Sequence, residues 1–158
     1  MIPKYIKDNT RHQFVLFDMD GVVAEYRYGE GPDIVNEVAG VYQNKRPIMS
    51  MVNVARKISH LPNKTVGILS SCEHPSQIIE KKNWLAKYMP FIKEENIMIV
   101  CWNLESYTHE TRCIAKLHVI QKIKGYDDIY LIEDTHQNIK ATNQEIPNCA
   151  HHLSEFLK

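Results

Sequence analysis

Two aspartates one residue apart, Asp18 and Asp20, close the apolar stretch "HQFVLFDMDGVV" and are followed directly by Gly21. A carboxylate is ionised at neutral pH and can attack phosphorus once a cation screens the negative charge of a phosphate ester. A second carboxyl group beside it can protonate the departing alkoxide, then deprotonate the water that releases the phosphoryl group. On that chemistry Asp18 is the candidate nucleophile and Asp20 the candidate acid and base. Gly21 removes the side chain where the chain must turn tightly beside a ligand, with a positive φ. Taken alone, D-x-D-G is equally a simple turn, so the remaining groups must come from elsewhere in the chain.

They stand after other apolar runs. Ser70 and Ser71 follow "TVGIL", and Glu133 and Asp134 follow "IYLI". If these runs are parallel strands, their carboxyl ends share one edge and four carboxylates meet in one crevice. Each like-charged pair at about 4 Å costs on the order of 4 kcal/mol at an effective dielectric near 20, so the cluster calls for a divalent cation. Oxygen donors suit Mg2+, which keeps several waters and bridges to phosphate oxygens. Ser70 is the candidate donor to a phosphoryl oxygen. Charge building on the transferred group also calls for a lysine, with Lys116 the choice and Lys122 its rival.

The elements that must position these residues are legible as alternating patterns. "FVLF" (14–17), "TVGIL" (65–69), "IMIV" (97–100) and "IYLI" (129–132) are continuously apolar, as expected of parallel strands covered on both faces. Between them, 47–61 carries Ile48, Met51, Val52, Ala55 and Ile58 on one helical stripe. A second helix is expected over 76–89 with Ser76 as N-cap, a third over 112–124 ending at Gly125, and a fourth over 137–145. The alternation predicts a three-layer α/β domain with a mainly parallel sheet. Residues 24–46, rich in glycine and turns, break the rhythm after the first strand and are expected to form a small cap over the site.

At 158 residues the chain fits one domain spanning 1–158, and its 19 basic residues balance 19 acidic ones. No basic excess exists to track a phosphate backbone, so polymeric nucleic acid is not the expected partner. No apolar run reaches the length needed to cross a membrane and no signal core is evident, so a cytoplasmic protein is expected, as monomer or homodimer. Cys72, Cys101, Cys113 and Cys149 form no C-x-x-C pair and read as reduced thiols, most of them core residues.

With these residues in hand the chain resembles the haloacid dehalogenase (HAD) superfamily of phosphohydrolases. "FDMDG" matches its first motif, "GILSS" its second, Lys116 its third and "LIEDTHQN" its fourth, in order and from about residue 13 onward. The resemblance implies a Rossmann-like HAD fold, phosphorylation of Asp18, and magnesium held by Asp18, the backbone carbonyl of Asp20 and Asp134, assisted by Glu133. "EKKNWLAKYMPFI" (80–92) is similar to the deoxyribonucleotidase-type 5′-nucleotidases, which implies a small phosphorylated substrate with a nucleoside monophosphate among the candidates. Trp84 and Leu85 within it are read as packing residues.

Further substrate contacts are expected from Ser71, from Tyr26, Arg27 and Tyr28 in the cap, and from His74 beside the second motif. His136 is expected to cap a helix or support the metal site, and His151 and His152 to fall on a final strand or the surface. The expected activity is a Mg2+-dependent phosphomonoesterase. A phosphosugar-type phosphomutase and a non-catalytic binding protein of the same fold are the alternatives; a cap this short argues against the first, and the presence of Asp18 against the second.

Overall fold

The computed structural model describes residues 1–26, 40 and 42–158. Five strands, β1 (Gln13–Phe17), β2 (Lys64–Cys72), β3 (Ile97–Cys101), β4 (Asp128–Glu133) and β5 (Ala150–His152), form one sheet in the order β3-β2-β1-β4-β5. Every pairing is parallel. The chain is thus a three-layer Rossmann-like α/β fold, with β1 at the centre and no face open to water. That position explains its continuous apolar run, because all five residues of β1 are buried.

The alternation of side chains along β1 feeds two cores. Val15 and Phe17 join one core with Met51, Val52, Ala55 and Ile58 of helix α1 (Met49–Ser59) and Trp84 and Leu85 of helix α2 (Ser76–Tyr88). Phe14 and Leu16 join the other, with Ala115 and Ile120 of helix α3 (Ala115–Lys122) and, at its margin, Ile139 of helix α4 (His136–Glu145). The period-2 geometry of a strand thereby holds a helical layer on each side. Truncating Phe17, fully buried in the central strand, would cost about 3–5 kcal/mol.

Three local expectations change. The second strand runs past "TVGIL" to Cys72, because β3 continues to pair with it through Ser70↔Ile99, Ser71↔Val100 and Cys72↔Cys101. The two serines therefore lie in the strand. Ser76 is the first helical residue of α2, not its N-cap: Pro75 already has helical angles (φ −57°, ψ −31°), and the His74 carbonyl accepts from the Gln77 N–H at 3.0 Å. The third helix is preceded by a 3-10 turn at Arg112–Ile114 and ends at Lys122, with Gly125 at φ +89° in the turn that follows.

Of the expected cap over 24–46, residues 27–39 and 41 lie outside the described residues, Arg27 and Tyr28 among them. Its described ends belong to the body of the domain. Ala24 bridges to Pro47, Tyr42 is part of the first core, and Lys45 is buried with its carbonyl accepting from Trp84 Nε1 at 2.9 Å. Among the described residues no helix is long and apolar enough to cross a membrane.

Candidate active site

Registry places the first aspartate. Phe17 pairs with Ile68 on one side and Ile132 on the other, and the Asp18 N–H continues the ladder by donating to the Ile132 carbonyl at 2.9 Å. Asp18 therefore leaves the sheet beside Glu133 and Asp134 at the end of β4, and carboxylate oxygens of the three residues lie within 4.8 Å of one another. The chain then turns: Met19 carbonyl oxygen accepts from the N–H groups of Val22, Val23 and Ala24, and Gly21 takes φ +77°. A Cβ at Gly21 would run into Asp134 Oδ2 and the Tyr26 ring, so close approach as well as φ demands glycine there.

Lys116, at the start of α3, points its ammonium into this cluster. It lies 2.9 Å from Asp18 Oδ1 and 2.6 Å from Glu133 Oε2, with both partners buried. Lys122, the rival, is exposed. Glu133 belongs to the carboxylate cluster and is also bonded on both oxygens. It is fully buried, Oε1 accepts from the Asp134 and Thr135 N–H groups, and Oε2 accepts from Lys116 and from Asn138 Nδ2. With both oxygens engaged by protein donors, it holds the lysine and the β4 turn, while Asp18 and Asp134 have fewer protein donors on their carboxylates.

Asp20 sits among cations. Lys45 Nζ contacts its Oδ1, and Lys81 Nζ donates to its Oδ2 at 2.9 Å. Lys81 also donates to Ser70 Oγ at 2.8 Å and to the Ser71 carbonyl at 2.9 Å, so all three of its ammonium protons are engaged. Both lysines are about 1% exposed, and Lys45 also lies 4.7 Å from the Tyr42 ring centroid. Sequence reasoning missed the two lysines. A usable signal existed for Lys81, which shares the buried stripe of α2 with Gln77, Trp84 and Leu85, where a lysine needs a partner. Lys45 falls in an aperiodic stretch with no such signal.

The electrostatics of the two aspartates diverge accordingly. Burial, and next the charge of Glu133, push the Asp18 carboxyl up to about 7 against the pull of Lys116. Burial and then Asp18 also raise Asp134 above the usual carboxylate range. For Lys116, burial is outweighed by Asp18 and Glu133, which hold its ammonium above the ordinary lysine value. For Asp20, burial is outweighed by Lys81 and Lys45, which hold its carboxyl below the usual range. The sequence led to a carboxylic acid at Asp20; the structure holds an ion-paired carboxylate.

A cleft of about 190 Å³ opens over these groups, lined among others by Asp18, Asp20, Tyr26, Ser71, Lys81 and Lys116. Ser70 is not part of its wall: it is fully buried with its Oγ under Lys81, and Ser71 takes the wall position because successive strand residues face opposite sides. Tyr26 is half-buried at the rim, its hydroxyl held protonated by burial and by Asp134. His74 is not brought in; it is exposed, and its contribution is the carbonyl that starts α2. His136 is exposed and stacks on His152, with ring centroids 5.4 Å apart, so it neither caps α4 nor meets the carboxylates. Trp84 and Leu85 are buried packing residues, as expected.

No family model and no curated protein matches the chain. Among solved structures, a chain in the structure of the Pnkp1/Rnl/Hen1 RNA repair complex is similar to it, with a TM-score of 0.68 and 19% sequence identity. The match covers 92% of this chain and 43% of that one, so this chain spans less than half the neighbour's length and shares its fold.

Proposed function

We propose that the protein is a divalent-cation-dependent phosphomonoesterase of HAD type that works through a phosphorylated Asp18. The observation that carries this reading is the position of the Asp18 carboxylate, at the end of the central strand, on Lys116 at 2.9 Å and within 4.8 Å of Asp134. The donor set fits magnesium: Asp18 and Asp134 offer only oxygens, no histidine or cysteine among the described residues joins the cluster, and each carboxylate raises the other's affinity for a positive charge. Asp18, Asp134 and the Asp20 backbone carbonyl would hold the ion, which when bound neutralises charge on the phosphate and on Asp18.

The chain's own residues account for the rest. Asp18 supplies the attacking oxygen, and its site is buried enough to limit competing water. Lys116 spends two ammonium protons on Asp18 and Glu133 and has a third for an equatorial phosphoryl oxygen, where charge accumulates in transfer. Ser71 lines the cleft where the phosphate enters. For Asp20, burial is outweighed by Lys81 and Lys45, which hold it below the usual carboxylate range, so it passes on the proton of the water that cleaves the aspartyl-phosphate with those ammonium groups as the store. An ammonium proton delivered to the leaving oxygen in the first half-reaction is replaced by the water's proton in the second. For the first half-reaction it must relay a proton to the leaving oxygen, and the two ammonium groups bonded to it are the nearest sources.

The test is release of phosphate from p-nitrophenyl phosphate and a panel of small phosphomonoesters, nucleoside monophosphates included, with Mg2+ and then with chelator. Chelator-sensitive release that Asp18→Asn abolishes is the expected result. No cation-dependent release across the panel would overturn the reading.

A further inference from the structure

Among the described residues, the cleft is lined by one cationic side chain that the reaction above does not use. Arg112 lines it together with Asp18, Asp20, Lys81 and Lys116. The two lysines are committed to carboxylates, Lys81 to Asp20 and Lys116 to Asp18 and Glu133. Arg112 is exposed, and among the described residues no carboxylate pairs with it. Its guanidinium carbon lies 6.0 Å from the centroid of the Trp102 ring. Trp102 is itself only 5% exposed and is met edge-on by His109 at 5.0 Å, so it is a fixed platform rather than a free stacking surface.

We infer that Arg112 receives a second anionic group of the substrate, so that the substrate class is a phosphomonoester bearing another phosphate or comparable oxyanion beyond the one presented to Asp18. This rests on the phosphatase reading above. A guanidinium offers a planar fork that matches an oxyanion with two hydrogen bonds, and contact with an aromatic ring restricts it before the ligand arrives. Arg112 stands four residues ahead of Lys116, on the 3-10 turn that leads into α3. At helical rise that separates their backbones by roughly 6–8 Å, so Arg112 is set beyond the lysine that faces the reacting phosphoryl group. An unpaired cation there attracts a charge the scissile phosphate does not supply.

The experiment compares substrate pairs that differ only in the second phosphate: fructose 1,6-bisphosphate against fructose 6-phosphate, and adenosine 3′,5′-bisphosphate against adenosine 5′-monophosphate. The expected result is that wild type favours the doubly phosphorylated member of at least one pair in kcat/KM. Arg112→Gln should reduce that ratio roughly tenfold or more, with Arg112→Lys intermediate because it keeps the charge and loses the fork. A ratio unchanged by Arg112→Gln overturns the inference. So does an equal loss on both members, which would put Arg112 on the reacting phosphoryl group. Equilibrium binding of the two adenosine nucleotides to Asp18→Asn, with and without Arg112→Gln, asks the same question without turnover. If neither pair is hydrolysed, the p-nitrophenyl phosphate panel alone judges the phosphatase reading, and the binding measurement judges Arg112: selective loss of bisphosphate binding in the double variant supports the Arg112 site, whereas equal binding overturns it.

Discussion

Asp18 and Asp20 stand with one residue between them, Asp18 buried and Asp20 mostly so, yet their surroundings are opposites. Asp18 shares one lysine with Glu133 and lies beside Asp134 as well, and its proton affinity rises. Asp20 is contacted by two lysines, and its proton affinity falls. Burial acts on both in the same direction, so the number of ammonium groups per carboxylate decides the outcome. One half of the site is short of positive charge and suited to accept a cation; the other is complete without one.

Replacing Asp18 by Asn should produce the largest change, abolishing turnover by at least on the order of a thousandfold, as expected of a nucleophile. The same variant tests the electrostatics. Because the folded-state pKa of Asp18 is raised from 3.8 to about 7, its favourable contribution is intact below pH 4 and is lost as pH rises to 7. Cation-free Asp18→Asn should therefore melt above wild type at pH 8 and match it at low pH. A lower melting temperature at pH 8 would show that Asp18 is not short of positive charge.

Lys116→Met should cost about 3 kcal/mol at pH 8 in chemical denaturation, because it leaves Asp18 and Glu133 buried without their cation. The loss should shrink at acid pH as the carboxyls take up protons. Lys81→Met should cost about 2 kcal/mol with the same sign of pH dependence for another reason. Asp20 is depressed, so its stabilisation is present above its unfolded-state pKa and is lost as pH falls through the folded value. Adding Mg2+ to wild type at about ten times its Kd should raise the melting temperature by about 2–5 °C and should do much less for Asp18→Asn. Lys122→Ala should change stability by no more than about 0.5 kcal/mol, since that side chain is exposed.

The parallel sheet and its helices were legible because apolar runs and helical stripes report burial directly. "FVLF" and "IYLI" read as covered strands, and they lie side by side in the sheet. The convergence of Asp18, Lys116 and Asp134 was legible for the same reason, since chemistry-bearing residues stood at strand ends and one helix start. Ser70 and Ser71 exchanged places because the length of β2 depends on its pairing with β3, a long-range fact that local pattern does not contain. Lys45 escaped notice because its stretch carries no local mark of burial, and Lys81 because its place on the buried stripe names no partner; only its acceptors, drawn from two separate segments, show what it serves.

The strand order also governs what any piece of this molecule can do. Both neighbours of β1 come from distant parts of the chain, one beginning at Lys64 and the other at Asp128. Asp18 and Asp134 thus bracket a long span of the chain, and no shorter fragment holds both. A nascent or proteolysed chain that stops before β4 would leave Asp18 without its facing strand, so activity should emerge only when the fourth strand docks, as an all-or-none event late in assembly.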